Sequence, residues 1–129
     1  ENPKFPGFEN IRKVYGFMEE WYSLKAFTPD IHVLSVINNP PMTGKEYERP
    51  AYPSTWARKE GDGRVFYTAM GHREDVWTNP TFQSILVGAL NWANGDVKAE
   101  IFPNIKEVAP QAYTNPPFVE PPPPKPAKK

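Results

Sequence analysis

The chain has 129 residues, a formal net charge of zero from 15 Lys and Arg residues against 15 Asp and Glu residues, and no cysteine. Its length predicts one domain, and its scattered basic residues argue against nucleic acid as a partner, because phosphate binding draws on clustered Lys and Arg. No apolar run approaches the ~20 residues that span a bilayer, and the lack of cysteine excludes a disulfide framework and cysteine-based zinc sites.

The first quarter of the chain gives mixed signals. Residues 1–7 hold two prolines and a glycine and are predicted to form an extended N-terminal segment outside the folded unit. In residues 8–27 apolar side chains recur at three-to-four spacing, as in an amphipathic helix. Gly16 interrupts that pattern, however, and pairs such as Val14-Tyr15 favour a strand. We predict a strand followed by a turn.

The next part of the chain predicts a strand and then a hairpin. Residues 31–37 (IHVLSVI) are almost all apolar or β-branched, which predicts a strand buried on both faces, in a parallel or mixed sheet with helices on each side. Residues 38–53 are polar and proline-rich and predict a long loop. Residues 54–60 and 64–70 are β-prone runs that flank Gly61-Asp62-Gly63, which predicts a hairpin with a tight turn.

The clearest helix is predicted over residues 79–95. Asn79 is a good N-cap, Pro80 suits the first helical position, and Asn94-Gly95 supplies a left-handed stop. Residues 97–102 are predicted to add one short strand. A single helix covers only one face of a sheet, so these elements predict that a covering element is missing and that the isolated chain is loose or self-associates.

The C-terminal region is dominated by proline. Residues 116–126 contain seven of the 17 prolines in the chain, and proline lacks the N–H that a hydrogen-bonded core requires. Residues 103–129 are therefore predicted to form a stiff, polyproline-II-like tail without internal hydrogen bonds. Such a tail is either a solvated linker or a strap laid across another protein.

Residues 53–95 carry a motif that resembles the C-terminal signature of ThuA-like (trehalose-utilisation) domains. The signature consists of a Trp-containing strand, a Gly-x-Gly-Arg-Val-Phe-Tyr hairpin, a Gly-His, a Trp, an Asn-Pro and a helix ending near Trp-Ala. The matching positions are Trp56, Gly61, Gly63, Arg64, Val65, Phe66, Tyr67, Gly71, His72, Trp77, Asn79, Pro80, Phe82, Trp92 and Ala93. Residues 19–36 are similar to the family's Asp-Glu-x-Tyr segment, with Glu19 in place of the first Asp.

The resemblance implies an α/β fold of the class I glutamine amidotransferase type, with a flavodoxin-like sheet of which this chain supplies only part. The expected organisation is an extended segment over 1–7, the C-terminal portion of a ThuA-like domain over 8–102, with a β-hairpin and one C-terminal helix, and a proline-rich tail over 103–129. The resemblance implies that the half carrying the amidotransferase nucleophile is not part of this sequence.

Gly71-His72-Arg73-Glu74 is the most suggestive chemical motif. His72 directly follows a predicted strand, where open α/β sheets place ligand-binding and catalytic groups. His72 and Glu74 resemble the amidotransferases' His-x-Glu, in which the acid orients an imidazole that acts as a base for cysteine. Without cysteine that reaction is excluded for this chain, but a histidine acid/base needs no thiol. Alternatively, His72 merely ends a strand and Glu74 is solvated.

Five further residues are candidates for substrate binding. The resemblance implies that Glu19, Glu20 and Tyr22 line the same pocket, although adjacent acids are more often a solvated surface. Trp56 and Trp77 could stack on a sugar ring, as the family's connection to trehalose suggests, but aromatics beside a hairpin are more often core.

Two functions remain open at this point. The first is a non-catalytic accessory or structural subunit that docks to other protein chains of a larger assembly. The second is a carbohydrate-binding or carbohydrate-processing protein of the trehalose-utilisation type, with a sugar as ligand. No cofactor is predicted, and no His, Asp and Glu trio has the spacing of a metal site. The first residue, which is not Met, and the lack of thiols favour an extracytoplasmic location.

Overall fold

The computed structural model describes residues 4–38 and 42–116 and has the predicted α/β class. The strands are β1 (His32–Ile37), β2 (Tyr52–Glu60) and β3 (Gly63–Thr68), and the helices are α1 (Pro80–Asn94) and α2 (Ile105–Val108). Short 3₁₀ turns lie at Lys45–Tyr47 and Glu74–Thr78. Within the described ranges, none of the helices has the length and apolar character needed to cross a membrane.

The predicted hairpin is confirmed. β2 and β3 pair antiparallel with Glu60 opposite Gly63, and Gly61 adopts a φ of 54°, which glycine tolerates better than any other residue. The hydroxyls of Thr55 and Thr68, which are cross-strand partners, lie 3.0 Å apart. The Gly61-Asp62 turn fixes which residues of β2 and β3 face each other.

The strand predicted over residues 31–37 is present as β1, but the prediction of a parallel or mixed sheet is wrong for the strands that the structure describes. β1 pairs antiparallel with β2, and the described sheet has the order β1-β2-β3. Val33 and Ile37 pack in one apolar cluster, whereas Leu34 packs against the other. The largely apolar run therefore predicted packing on two faces correctly, but it carries no information about strand direction.

Helix α1 covers the first face of the sheet, and its predicted ends are confirmed. The Asn79 side chain accepts the N–H groups of Thr81 (2.9 Å) and Phe82 (3.4 Å), and Gly95 ends the helix at a φ of 92°. The cluster beneath the helix contains Phe5, Phe8, Ala57, Met70, Val76, Phe82, Ile85, Ala89 and Trp92.

The N-terminal segment belongs to this cluster, so the prediction that residues 1–7 lie outside the folded unit is wrong for the part that the structure describes. Phe5 is only 5% exposed, and the N–H of Phe8 donates to its carbonyl at 2.9 Å. The segment lies directly on α1, because a Cβ at Gly88 would come within 2.3 Å of the Pro6 backbone. The ring of Phe5 thereby joins the core of a folded unit that was predicted to begin at residue 8.

The second face of the sheet is covered by the C-terminal segment. This corrects the prediction that a covering element is missing and the prediction that residues 103–129 are a tail without internal hydrogen bonds. Ile105, Ala109 and Ala112 are buried against β1 and β2, and α2 occupies part of the region predicted to be a tail without internal hydrogen bonds. Asn104 joins this segment to β1, since its Oδ1 accepts the Val33 N–H at 2.6 Å. The described residues thus cover both faces of the sheet. The proline run from residue 117 onward lies outside the described residues.

Two further predictions of regular structure are wrong. Residues 8–28 form neither a helix nor a strand, and residues 97–102 form no strand. The first segment is instead fixed by side chains: the Tyr15 hydroxyl bonds to Ser35, and the Ser23 hydroxyl donates to the Glu46 carbonyl at 2.8 Å. Among the residues that the structure describes, no strand pairs with either segment, so their local strand propensity does not lead to a ladder.

Candidate functional site

The site begins where β3 ends. Ala69 and Met70 are buried, and Gly71 then turns the chain at a φ of 110°. The Trp77 indole N–H donates to the Gly71 carbonyl at 3.0 Å, and a Cβ at Gly71 would lie 3.4 Å from the same indole ring. A positive φ combined with this close ring makes glycine the fitting residue, and the turn directs His72 toward solvent.

The carboxylate of Glu19 binds the backbone of this turn. Its Oε2 accepts the Gly71 N–H at 2.7 Å, and its Oε1 accepts the Arg73 N–H at 3.0 Å and the Glu20 N–H at 2.9 Å. Partial burial by itself would raise the pKa of Glu19, but the backbone N–H groups together outweigh it and lower the pKa below its ordinary value. Glu19 is therefore an anion at neutral pH.

His72 is held between two side chains from residues 8–28, the irregular segment. Its Nε2 lies 3.0 Å from Oε2 of Glu20, and its Nδ1 lies 3.5 Å from the Tyr22 hydroxyl, a long contact. The two rings meet edge to face, with centroids 6.4 Å apart. The His72 side chain is 47% exposed and that of Glu20 is 60% exposed. An exposed pair of this kind adds little stability, but it orients an imidazole that solvent and solutes can reach.

The structure thus brings together four of the seven predicted site residues, namely Glu19, Glu20, Tyr22 and His72, and places Trp77 beside them. Trp77 is 54% exposed and contacts Gly71. Sequence reasoning did not distinguish the roles of Glu19 and Glu20. Adjacent side chains of an extended chain lie on opposite sides, so the strand signal in this segment was compatible with different surroundings for the two glutamates.

Glu74 and Trp56 lie elsewhere. Glu74 begins the 3₁₀ turn, and in the described part of the chain no contact joins it to His72; the carboxylate that faces His72 is that of Glu20. Trp56 stacks on Tyr67 with centroids 4.1 Å apart and meets Phe27 edge to face, within the cluster on the second face of the sheet. Among the described residues, no group of three or more His, Asp and Glu side chains is placed to hold a metal ion.

Fold and site together define an α/β domain with a histidine–carboxylate pair at the end of a strand. A family model described as "ThuA: Trehalose utilisation" matches residues 1–93, and the chain belongs to this family. The match begins before residue 8, where sequence reasoning had placed the start of the domain, in accord with the packing of Phe5 and Phe8 in the core. Neither the curated proteins nor the solved structures gave a match to this chain.

Proposed function

We propose that the surface around His72 binds a small polyhydroxylated molecule, a carbohydrate, and that His72 exchanges protons with it. The observation that carries this proposal is the 3.0 Å contact between His72 Nε2 and Glu20 Oε2 on a half-exposed imidazole. A histidine oriented by a carboxylate is a common acid/base arrangement. The family description, trehalose utilisation, supports a sugar as the ligand.

The neighbouring groups suit a sugar. The Glu20 carboxylate accepts hydrogen bonds from hydroxyls, the Tyr22 hydroxyl both donates and accepts, and the exposed Trp77 ring offers an apolar face. The surface is open rather than a closed cavity, so we expect weak affinity, and discrimination by hydroxyl geometry rather than by shape.

The two histidines of the chain allow a test with an internal control. His32 lies in β1, where its Nδ1 is 2.8 Å from the Phe102 carbonyl oxygen, and it is not part of the site. We would titrate the chain with trehalose, glucose and glycerol and follow the imidazole signals of both histidines and the Trp77 indole N–H by NMR. The proposal expects His72 and Trp77 to shift with the sugars while His32 stays unchanged.

The variants His72→Gln and His32→Gln complete this experiment. His72→Gln should abolish the sugar-dependent shift of Trp77, and His32→Gln should retain it. Equal responses of both imidazoles, or no response of His72 to any sugar, would reject a carbohydrate site here.

A non-catalytic accessory subunit is the second candidate function. Its original support, an uncovered sheet face, is lost because the C-terminal segment covers that face. What favours it now is the exposure of two large apolar side chains, Val14 (82%) and Met18 (76%), on the irregular segment, because burial of apolar surface against another protein is favourable. Sedimentation of the chain alone and of Met18→Lys tests this role; a monomer at every concentration, unchanged by the substitution, would argue against self-association through this segment.

A further inference from the structure

Glu19 and Glu20 are adjacent in sequence but have different surroundings. Both Glu19 carboxylate oxygens accept backbone N–H groups, at distances between 2.7 and 3.0 Å. The Glu20 side chain is 60% exposed and contacts the His72 ring. A carboxylate whose oxygens are already occupied has little capacity left for a ligand, whereas the exposed Glu20 carboxylate can still accept hydrogen bonds from one.

The N–H groups that bind Glu19 flank His72 on both sides. Gly71 donates from the residue before it and Arg73 from the residue after it. Successive N–H groups that converge on one anion form a backbone concavity of the kind that binds carboxylates and phosphates. Here the Glu19 side chain fills it, so the backbone that carries the imidazole is fixed at two points by one carboxylate.

This contact is also a bridge between two segments. Residues 71–73 follow the end of β3, whereas Glu20 and Tyr22 belong to the irregular segment. Glu19 precedes Glu20 directly, so the same carboxylate that fixes the His72 backbone also fixes the backbone that carries its two partners. Charge-assisted hydrogen bonds of this kind are stronger than neutral ones.

We propose that Glu19 is a positioning residue: its carboxylate, bound in the backbone concavity of residues 71–73, holds the His72 ring against Glu20 and Tyr22, and it does not contact the ligand. The consequence for sugar binding rests on the function proposed above, but the geometric claim does not. Glu19 thereby leaves the set of ligand-binding candidates, and Glu20, Tyr22 and His72 remain in it.

The first test is chemical rescue in the full chain. Glu19→Ala should shift the amide signals of Gly71 and Arg73 in NMR spectra and remove the ring–ring NOE between His72 and Tyr22. Acetate or formate should restore these signals by refilling the concavity, whereas chloride at equal ionic strength should not. Glu9→Ala is the matched control, because Glu9 also accepts a backbone N–H, from Gly7 at 2.9 Å, but in the N-terminal segment.

Glu19→Gln is the second variant and is needed in case Glu19→Ala does not fold. It preserves the size of the side chain but presents an amide N–H₂ group to one of the backbone donors, so it should displace the His72 ring without unfolding the chain, and carboxylates should rescue it less than Glu19→Ala. An intact His72–Tyr22 NOE in Glu19→Ala would overturn the proposal. So would a folded Glu19→Ala variant that no carboxylate rescues, or unfolding of both variants, which would indicate a role in global stability.

Ligand binding separates this proposal from the proposed function. If a sugar binds the unsubstituted chain, Glu19→Ala should weaken it about tenfold, the loss expected from removing charged hydrogen bonds, and acetate should recover it. Unchanged affinity would overturn the positioning role and leave the carbohydrate site standing. If no sugar binds but the NMR changes and their rescue occur, the positioning role stands and the carbohydrate site falls.

Discussion

The hairpin–helix unit of residues 52–95 and the irregular segment of residues 8–28 are ordered by different means. The first is held by a strand ladder, a capped helix and a closely packed core. The second has no ladder or helix and is fixed by side-chain hydrogen bonds such as those of Tyr15, Glu19 and Ser23. His72 comes from the loop of the first unit, whereas Glu20 and Tyr22 come from the second.

Because of this difference, the positions of the site residues depend on individual side-chain contacts. Regular backbone hydrogen bonds are cooperative across an element, so losing one side chain leaves the element in place. A segment fixed by individual side chains loses its position when one of them is removed. Substitutions in the two regions should therefore separate loss of the fold from loss of the site.

The largest loss of stability is expected from a substitution where the N-terminal segment lies on α1. In Gly88→Ala the new Cβ would come within 2.3 Å of the Pro6 carbonyl carbon, and overpacking of this kind should lower the free energy of unfolding by about 3 kcal/mol. Urea unfolding followed by circular dichroism measures it.

Gly16→Ala is the control for this substitution, since a Cβ there meets nothing within 4 Å. It should be neutral or slightly stabilising, because alanine restricts the unfolded chain more than glycine does. If Gly88→Ala proved as harmless as Gly16→Ala, the close approach of the N-terminal segment to α1 would be refuted.

An intermediate effect is expected at Arg49, a buried residue that joins the irregular segment to the C-terminal one. Its guanidinium donates to the Leu24 carbonyl and, at 2.9 Å, to the Ala112 carbonyl. Arg49→Met should cost about 2 kcal/mol, because one buried and one partly buried carbonyl lose a charged donor. It should also speed proteolysis near Ala112, and the exposed substitution Arg12→Met should do neither. Unchanged proteolysis would show that Arg49 does not hold the C-terminal segment in place.

The smallest effect concerns pH. Because the folded state lowers the pKa of Glu19, its contribution to stability is fully present above the pH at which an unfolded glutamate titrates, and it is lost as the pH falls through the folded-state pKa. Urea unfolding of the unsubstituted chain and of Glu19→Gln should therefore show a stability difference at neutral pH that shrinks in the acid range. A difference independent of pH would contradict an anionic Glu19.

The local elements could be predicted because their signals are local. Asn79-Pro80 and Asn94-Gly95 define the ends of α1, and Gly61-Asp62-Gly63 defines the hairpin turn. His72, Glu20 and Tyr22 could be named as candidates from the motif resemblance. Their mutual contact, and the preference of His72 for Glu20 over Glu74, could not be predicted, since that depends on how residues 8–28 cross the loop after β3.

By itself, the sequence determined the hairpin and the helix, because turn chemistry, capping and apolar periodicity act over a few residues. The family and its α/β class were indicated by the motif resemblance of residues 53–95. Only the tertiary structure decided that the N-terminal segment joins the core beneath α1, that the C-terminal segment around α2 covers the second face of the sheet, and that all described strands are antiparallel. It also decided that Glu19 binds backbone while Glu20 faces the histidine. These outcomes depend on contacts between residues far apart in the chain, where packing and hydrogen-bond satisfaction override local propensity.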